Sequence, residues 1–171
     1  MATNLQFIKS QELTEGAILF EMTDCFNANY DVYKIIFRGL YVSITNELSS
    51  KFRFLDTSNT QISTNYEYAV LKLLSSSGFQ EQRSTNATEI QQNFFFGTQG
   101  DDTGNCEMTV YNPFDSSSYT FTNSMSSDTV NLDGRKNIGV LKSAETVTGI
   151  AIVGLSGYLF GGGTVSVYGV K

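Results

Sequence analysis

Residues Gly161–Lys171 read GGGTVSVYGVK, and the reading of this short stretch decides the fold. After three glycines the chain alternates with period two. Val165, Val167 and Gly169 fall on one phase, and Thr164, Ser166, Tyr168 and Val170 on the other. That period belongs to a strand, and β-branched and aromatic residues favour one. Both phases carry apolar residues, so Thr164–Val170 is expected to be an interior strand covered on both faces, by the second sheet and by a neighbouring subunit or loop. Gly161–Gly163 is expected to make the turn before it, with the positive φ that glycine tolerates.

Working outward, the same texture fills the chain. Strands are predicted at 5–8, 17–22, 31–43, 51–54, 66–74, 91–97, 106–111, 118–123, 137–142, 147–153 and 163–170. In DVYKIIFRGLYVS (31–43), Tyr33, Ile35 and Phe37 alternate with Lys34, Ile36 and Arg38; in KFRF (51–54), Phe52 and Phe54 alternate with Lys51 and Arg53. The intervening DTSN, SSSG, GDDTGN, NPFDSSS, NLDGRKN and SGYLFGGG are turn chemistry. The best helical candidate, YEYAVLKLLS at 66–75, does not keep a 3.6-residue period and reads as a strand. The lone Pro113 should end the strand before it, since it has no N–H for a ladder. Many short strands with turn signals and little or no helix predict an all-β protein. The expected architecture is a single β-sandwich domain over 1–171, of jelly-roll type.

Composition sets the function classes. With 171 residues the chain is long enough for a hydrophobic core, and at 40% hydrophobic it is not a disordered one. Only 16% of residues are charged, so the 19 Ser, 18 Thr and 13 Asn must supply much of the polar surface. The net charge of −6 argues against a nucleic-acid partner, which would call for a basic patch. No apolar run approaches a membrane span, so no membrane partner is expected either. MATNLQFIKSQELTEG at the start lacks the apolar centre of a signal peptide, which leads to an expectation of assembly in a cytoplasm. Cys25 and Cys106 are then expected to be free, buried thiols that pack as small hydrophobes.

Chemistry is sparse. The sequence has no histidine, which removes the usual general base, the usual triad and the commonest metal ligand. It contains no Walker A, dinucleotide fingerprint, HExxH or CxxC pattern. The glycines at 161–163 lead into a strand rather than a helix, so they do not make a phosphate loop. Asp101, Asp102 and Asp115 could pair as glycosidase carboxylates do, and GDDTGN (100–105) could offer oxygen ligands to calcium. All three lie in Gly/Ser/Asn-rich turns, where aspartate is ordinary, and the loop does not follow the EF-hand pattern. The Asn86-Ala87-Thr88 sequon carries no weight without a secretory signal. The expectation is therefore no catalytic residue, no metal and no cofactor.

One surface feature stands out. Lys34, Arg38, Lys51 and Arg53 occupy the polar phase of two successive predicted strands. If those strands pair, four of the eleven basic residues share one face of an acidic protein. The ordinary reading is a solvated face, or charges that discourage edge pairing. The sharper reading is a docking patch for an acidic partner surface.

The closing segment VTGIAIVGLSGYLFGGGTVSVYGVK (147–171) resembles the ending of a diffuse group of virion structural proteins from tailed phages of marine and freshwater bacteria. DCFNANYDVYKIIFRGL (24–40) is similar to that group's entry into a long strand, with Phe26, Tyr30, Asp31 and Tyr33 in its F-x-x-x-Y-D-x-Y pattern. YNPFDSSSYTFTNS (111–124) and GVLKSAETVTGI (139–150) share the likeness. The resemblance carries no site residues. It implies a β-sandwich on a phage particle, assembled in the host cytoplasm. The chain enters a predicted strand almost at once, with no shaft before it, so the first expectation is a capsid decoration (cement) or surface knob protein. The alternative is a tail-fibre tip or adhesin that binds a host receptor or glycan. The expected partners are other virion proteins, either the major capsid protein or fibre and tail components, and further copies of the chain, a trimer by analogy. The aromatic loop Tyr111–Tyr119 would be natural interface material.

Overall fold

A computed structural model describes residues 4–42, 48–97, 103–127, 133–153 and 159–171. The described residues form twelve strands and no helix: β1 (Leu5–Glu12), β2 (Leu19–Met22), β3 (Val32–Val42), β4 (Leu48–Leu55), β5 (Tyr66–Leu74), β6 (Gly78–Ala87), β7 (Ile90–Phe96), β8 (Gly104–Tyr111), β9 (Thr120–Ser127), β10 (Asp133–Leu141), β11 (Gly149–Val153) and β12 (Phe160–Val170). They make an eight-stranded sheet, ordered β1-β12-β3-β8-β9-β10-β5-β6, and a four-stranded sheet, ordered β2-β11-β4-β7. Every ladder between these strands is antiparallel.

The path alternates between the layers. Consecutive strands β1, β2, β3 and β4 fall in the large, small, large and small sheet in turn. Two antiparallel pairs, β5–β6 and β9–β10, are inserted into this path and widen the large sheet beyond β8. The result is an all-β sandwich, and its strand order is compatible with a jelly roll.

The core lies between the sheets and obeys the period-two rule. Tyr33, Ile35 and Phe37 of β3 and Val165 and Val167 of β12 face Phe52 and Phe54 of β4 and Ile150 and Ile152 of β11, all buried. Aromatic rings meet at edges here: Phe26–Tyr33 at 4.7 Å and Phe52–Phe54 at 5.1 Å between centroids. The two fully buried phenols, Tyr33 and Tyr66, keep backbone partners. Tyr33 Oη donates to the Asn27 carbonyl at 2.6 Å and accepts from the Asn27 N–H at 2.8 Å. Tyr66 Oη accepts from the Phe54 N–H at 2.9 Å.

β12 is interior, as its alternation predicts, with β1 on one side and β3 on the other. Within the single chain the second sheet covers one of its two faces. Val165 and Val167 are fully buried, but Tyr168 and Val170 lie half-exposed on the outer face, where Tyr168 meets Phe7 edge to face at 5.8 Å. The glycines also do something else. Gly161–Gly163 belong to β12 itself, in a bulged stretch against β3, and only Gly163 has a positive φ, of 127°. Gly161 and Gly162 lie against the side chain of Tyr41, where a Cβ would overlap its ring at Gly161 and come within 2.8 Å of it at Gly162. Close approach, not a turn, demands them.

β6 has no counterpart among the predicted strands. GFQEQRSTNA has no apolar alternation because it is an edge strand largely open to solvent on both faces. Its backbone ladder with β5 makes it a strand, and backbone pairing leaves no mark on side-chain pattern.

Candidate interaction surface

The inserted strands carry a pattern that runs inside out. In β9, Thr120, Thr122, Ser124 and Ser126 point into the sandwich and are buried, while Phe121 and Met125 point out and are exposed. In β10, Asn137 and Gly139 face in and Ile138 faces out. The cause is a thin interior. β7 runs across β8, β9 and β10 on the inner side. A Cβ at Gly139 would sit 2.6 Å from Ile90 Cδ1 and 2.7 Å from Thr122 Oγ1. At that point of the sheet only small side chains fit, so Phe121 and Ile138 beside it are turned outward, while further along β10 the larger Arg135 is buried on the inner side. The cost is real: Thr120 Oγ1, Thr122 Oγ1 and Ser126 Oγ find no hydrogen-bond partner among the described residues.

The outward residues assemble into one surface. Leu5, Phe7, Leu71, Phe79, Phe121, Met125 and Ile138 are all exposed on the outer face of the large sheet. Phe79 is the most open at 77%, and Met125 follows at 62%. Single exposed apolar residues are ordinary, but a contiguous set on a broad face marks an interaction site. A groove of about 530 Å³ crosses this face over Ala69, walled by Phe121, Ile138 and Val140 on one side and by Arg83 and Thr85 on the other.

The four basic residues do not form the expected shared face. β3 and β4 lie in different sheets, so the pairing that would join them does not occur. Lys34 and Arg38 lie on the outer face of the large sheet, and Lys51 and Arg53 on the opposite side of the molecule, outside the small sheet. Lys34 pairs with Glu107 on neighbouring β8. Arg38 is the one of the four with no ion-pair partner among the described residues.

Lys51 and Arg53 are engaged in holding the β6–β7 connection. Arg53 Nη2 donates to Glu89 Oε2 at 2.8 Å, its Nη1 to Gln61 Oε1 at 3.1 Å and its Nε to the Thr88 carbonyl at 3.2 Å. Lys51 Nζ lies 3.3 Å from Glu89 Oε1, and Gln91 Nε2 and Thr88 Oγ1 donate to the same carboxylate. Burial alone would raise the Glu89 pKa. Hydrogen bonds from Thr88, Arg53 and Gln91 and the charge of Lys51 outweigh it and bring it down to about 2. A depressed folded-state pKa contributes stability that is present above the unfolded value, near 4.5, and is lost as pH falls toward about 2. Glu89→Gln should therefore lower stability at pH 7 and flatten its decline through that acid window. Urea midpoints at neutral and acid pH measure this, and parallel declines for both proteins would contradict it.

The remaining candidates resolve simply. Asp101 and Asp102 lie outside the described residues. Asp115 is a turn residue whose Oδ1 accepts from the Ser117 N–H at 2.8 Å and hydroxyl at 2.7 Å, and these bonds hold its carboxyl below the usual range. Cys25 and Cys106 are buried and form no disulfide, as expected; burial pushes the Cys25 thiol up to about 12 and also raises Cys106, so neither is poised as a thiolate. No group of three or more Cys, Asp or Glu among the described residues is placed to hold a metal. Tyr111 and Tyr119 are exposed, while Phe114 between them packs against the core. No family model and no curated protein matches the chain.

Proposed function

We propose that the protein is a non-enzymatic structural subunit of a phage particle, a decoration or knob protein that works by docking a broad sheet face into an assembly. The observation that carries this reading is the inside-out pattern of β9 and β10, which spends hydroxyls on the interior and places Phe121, Met125 and Ile138 outside. A protein that acts alone in solution gains nothing from that arrangement, whereas an assembly subunit covers those residues in its working state. The likeness of 147–171 and 24–40 to phage virion proteins supports the particle as the assembly. The sandwich itself does not choose among functions.

Quantitative mass spectrometry of purified particles tests the proposal. The expected result is many copies per particle, retained through density-gradient purification. A few copies per particle would point instead to a tail-fibre tip, and absence from the particle would contradict the proposal.

A further inference from the structure

We infer that the outer face of the large sheet packs against the same face of a second copy of this chain. This rests on reading the protein as an assembly subunit, and it names the neighbour at that face. Three observations favour a second copy over an unlike partner.

The first is charge. The described strands of this face carry four cations, Lys34, Arg38, Arg83 and Lys136, and four carboxylates, Glu12, Glu67, Glu81 and Glu107, a balance of zero. The chain as a whole is −6. Two copies of an acidic protein repel across most of their surface, and this face is where they meet without that penalty. An oppositely charged partner would be served by a face of one sign.

The second is size. Eight strands span seven spacings, roughly 34 Å, and strands of eight residues run roughly 26 Å, giving a footprint of about 880 Å². A stable interface buries about 800 Å² on each partner.

The third is that the face carries both a knob and a hole. Phe79 projects near one end of β5–β6, and the apolar groove over Ala69 lies further along the same pair of strands. A two-fold axis lying in the interface midway between them places each Phe79 in the other copy's groove. That is the self-complementarity an isologous contact requires.

Sedimentation velocity over a concentration series tests the pairing. The chain should sediment at twice its 18.9 kDa mass at about 10 µM, with little dependence on salt. Ile138→Lys and Phe79→Ser change exposed residues, so both variants should keep their circular dichroism spectrum and melting temperature. Both should weaken the dimer at least tenfold, and Leu19→Ser, at an exposed residue of the small sheet, should leave it intact. A wild-type chain that stays monomeric at about 100 µM, or a dimer or trimer indifferent to both substitutions, overturns the inference. Neither result touches the copy count on particles, so the pairing and the particle role stand or fall separately.

Discussion

Val167→Asp should leave no folded protein at physiological temperature. Val167 is fully buried at the middle of β12, paired with Lys9 of β1 and Ile35 of β3, and its neighbours in the core are apolar. An aspartate there must either bury its charge with only the half-buried Lys9, already bonded to the Thr23 carbonyl, beside it, or take up a proton, and either route costs several kcal/mol. Domains are stable by only about 5–15 kcal/mol in total. Soluble yield and urea denaturation of V167D report the outcome. The isosteric Val167→Thr provides the graded control, with a smaller loss from one buried hydroxyl. A V167D protein that unfolds at the wild-type urea midpoint would show that this side of β12 is not core.

Ending the chain after Gly163 should be equally severe, for a different reason. The deletion takes Val165 and Val167 out of the core, worth about 3–6 kcal/mol together. It also opens the ladders on both sides, leaving facing edges of β1 and β3 with unpaired N–H and C=O groups inside the large sheet. The shortened protein is expected in the insoluble fraction, with no cooperative thermal transition. A soluble product with the wild-type melting temperature would make β12 a dispensable appendage and contradict its placement.

What the sequence made legible is the phase of the strands that face the deep core. In β3, β4 and β12 the buried and exposed sets fall as their alternation predicts, because those strands face a deep aromatic core. What it hid is partnership. Lys34 and Lys51 sit on strands adjacent in sequence, but the chain changes sheets between them, and side-chain periodicity says nothing about which backbone lies alongside. The same gap explains β6, an edge strand defined by backbone pairing alone. The outer surface was hidden for a further reason. Phe121 points outward beside Thr122, where Ile90 from another sheet occupies the room behind Gly139, a packing fact set by residues far apart in the chain. A sequence sign was nevertheless present: TFTNSMSS alternates hydroxyls with bulky apolar residues, which is consistent with either phase until the space behind it is known.

The central claim is that the outer face of the large sheet is covered in the working state, and methionine supplies the direct readout. Met125 is exposed on that face, while Met22 and Met108 are fully buried and serve as internal references. Brief hydroxyl-radical oxidation, followed by peptide mass spectrometry, should be applied to protein on purified particles and to the monomeric Ile138→Lys variant in solution. In the monomer Met125 should oxidise many times faster than Met108. On the particle its rate should fall to near that of Met108, with the two references unchanged. A Met125 that oxidises on the particle as fast as in the monomer would mean the face stays open to solvent, and would contradict the account.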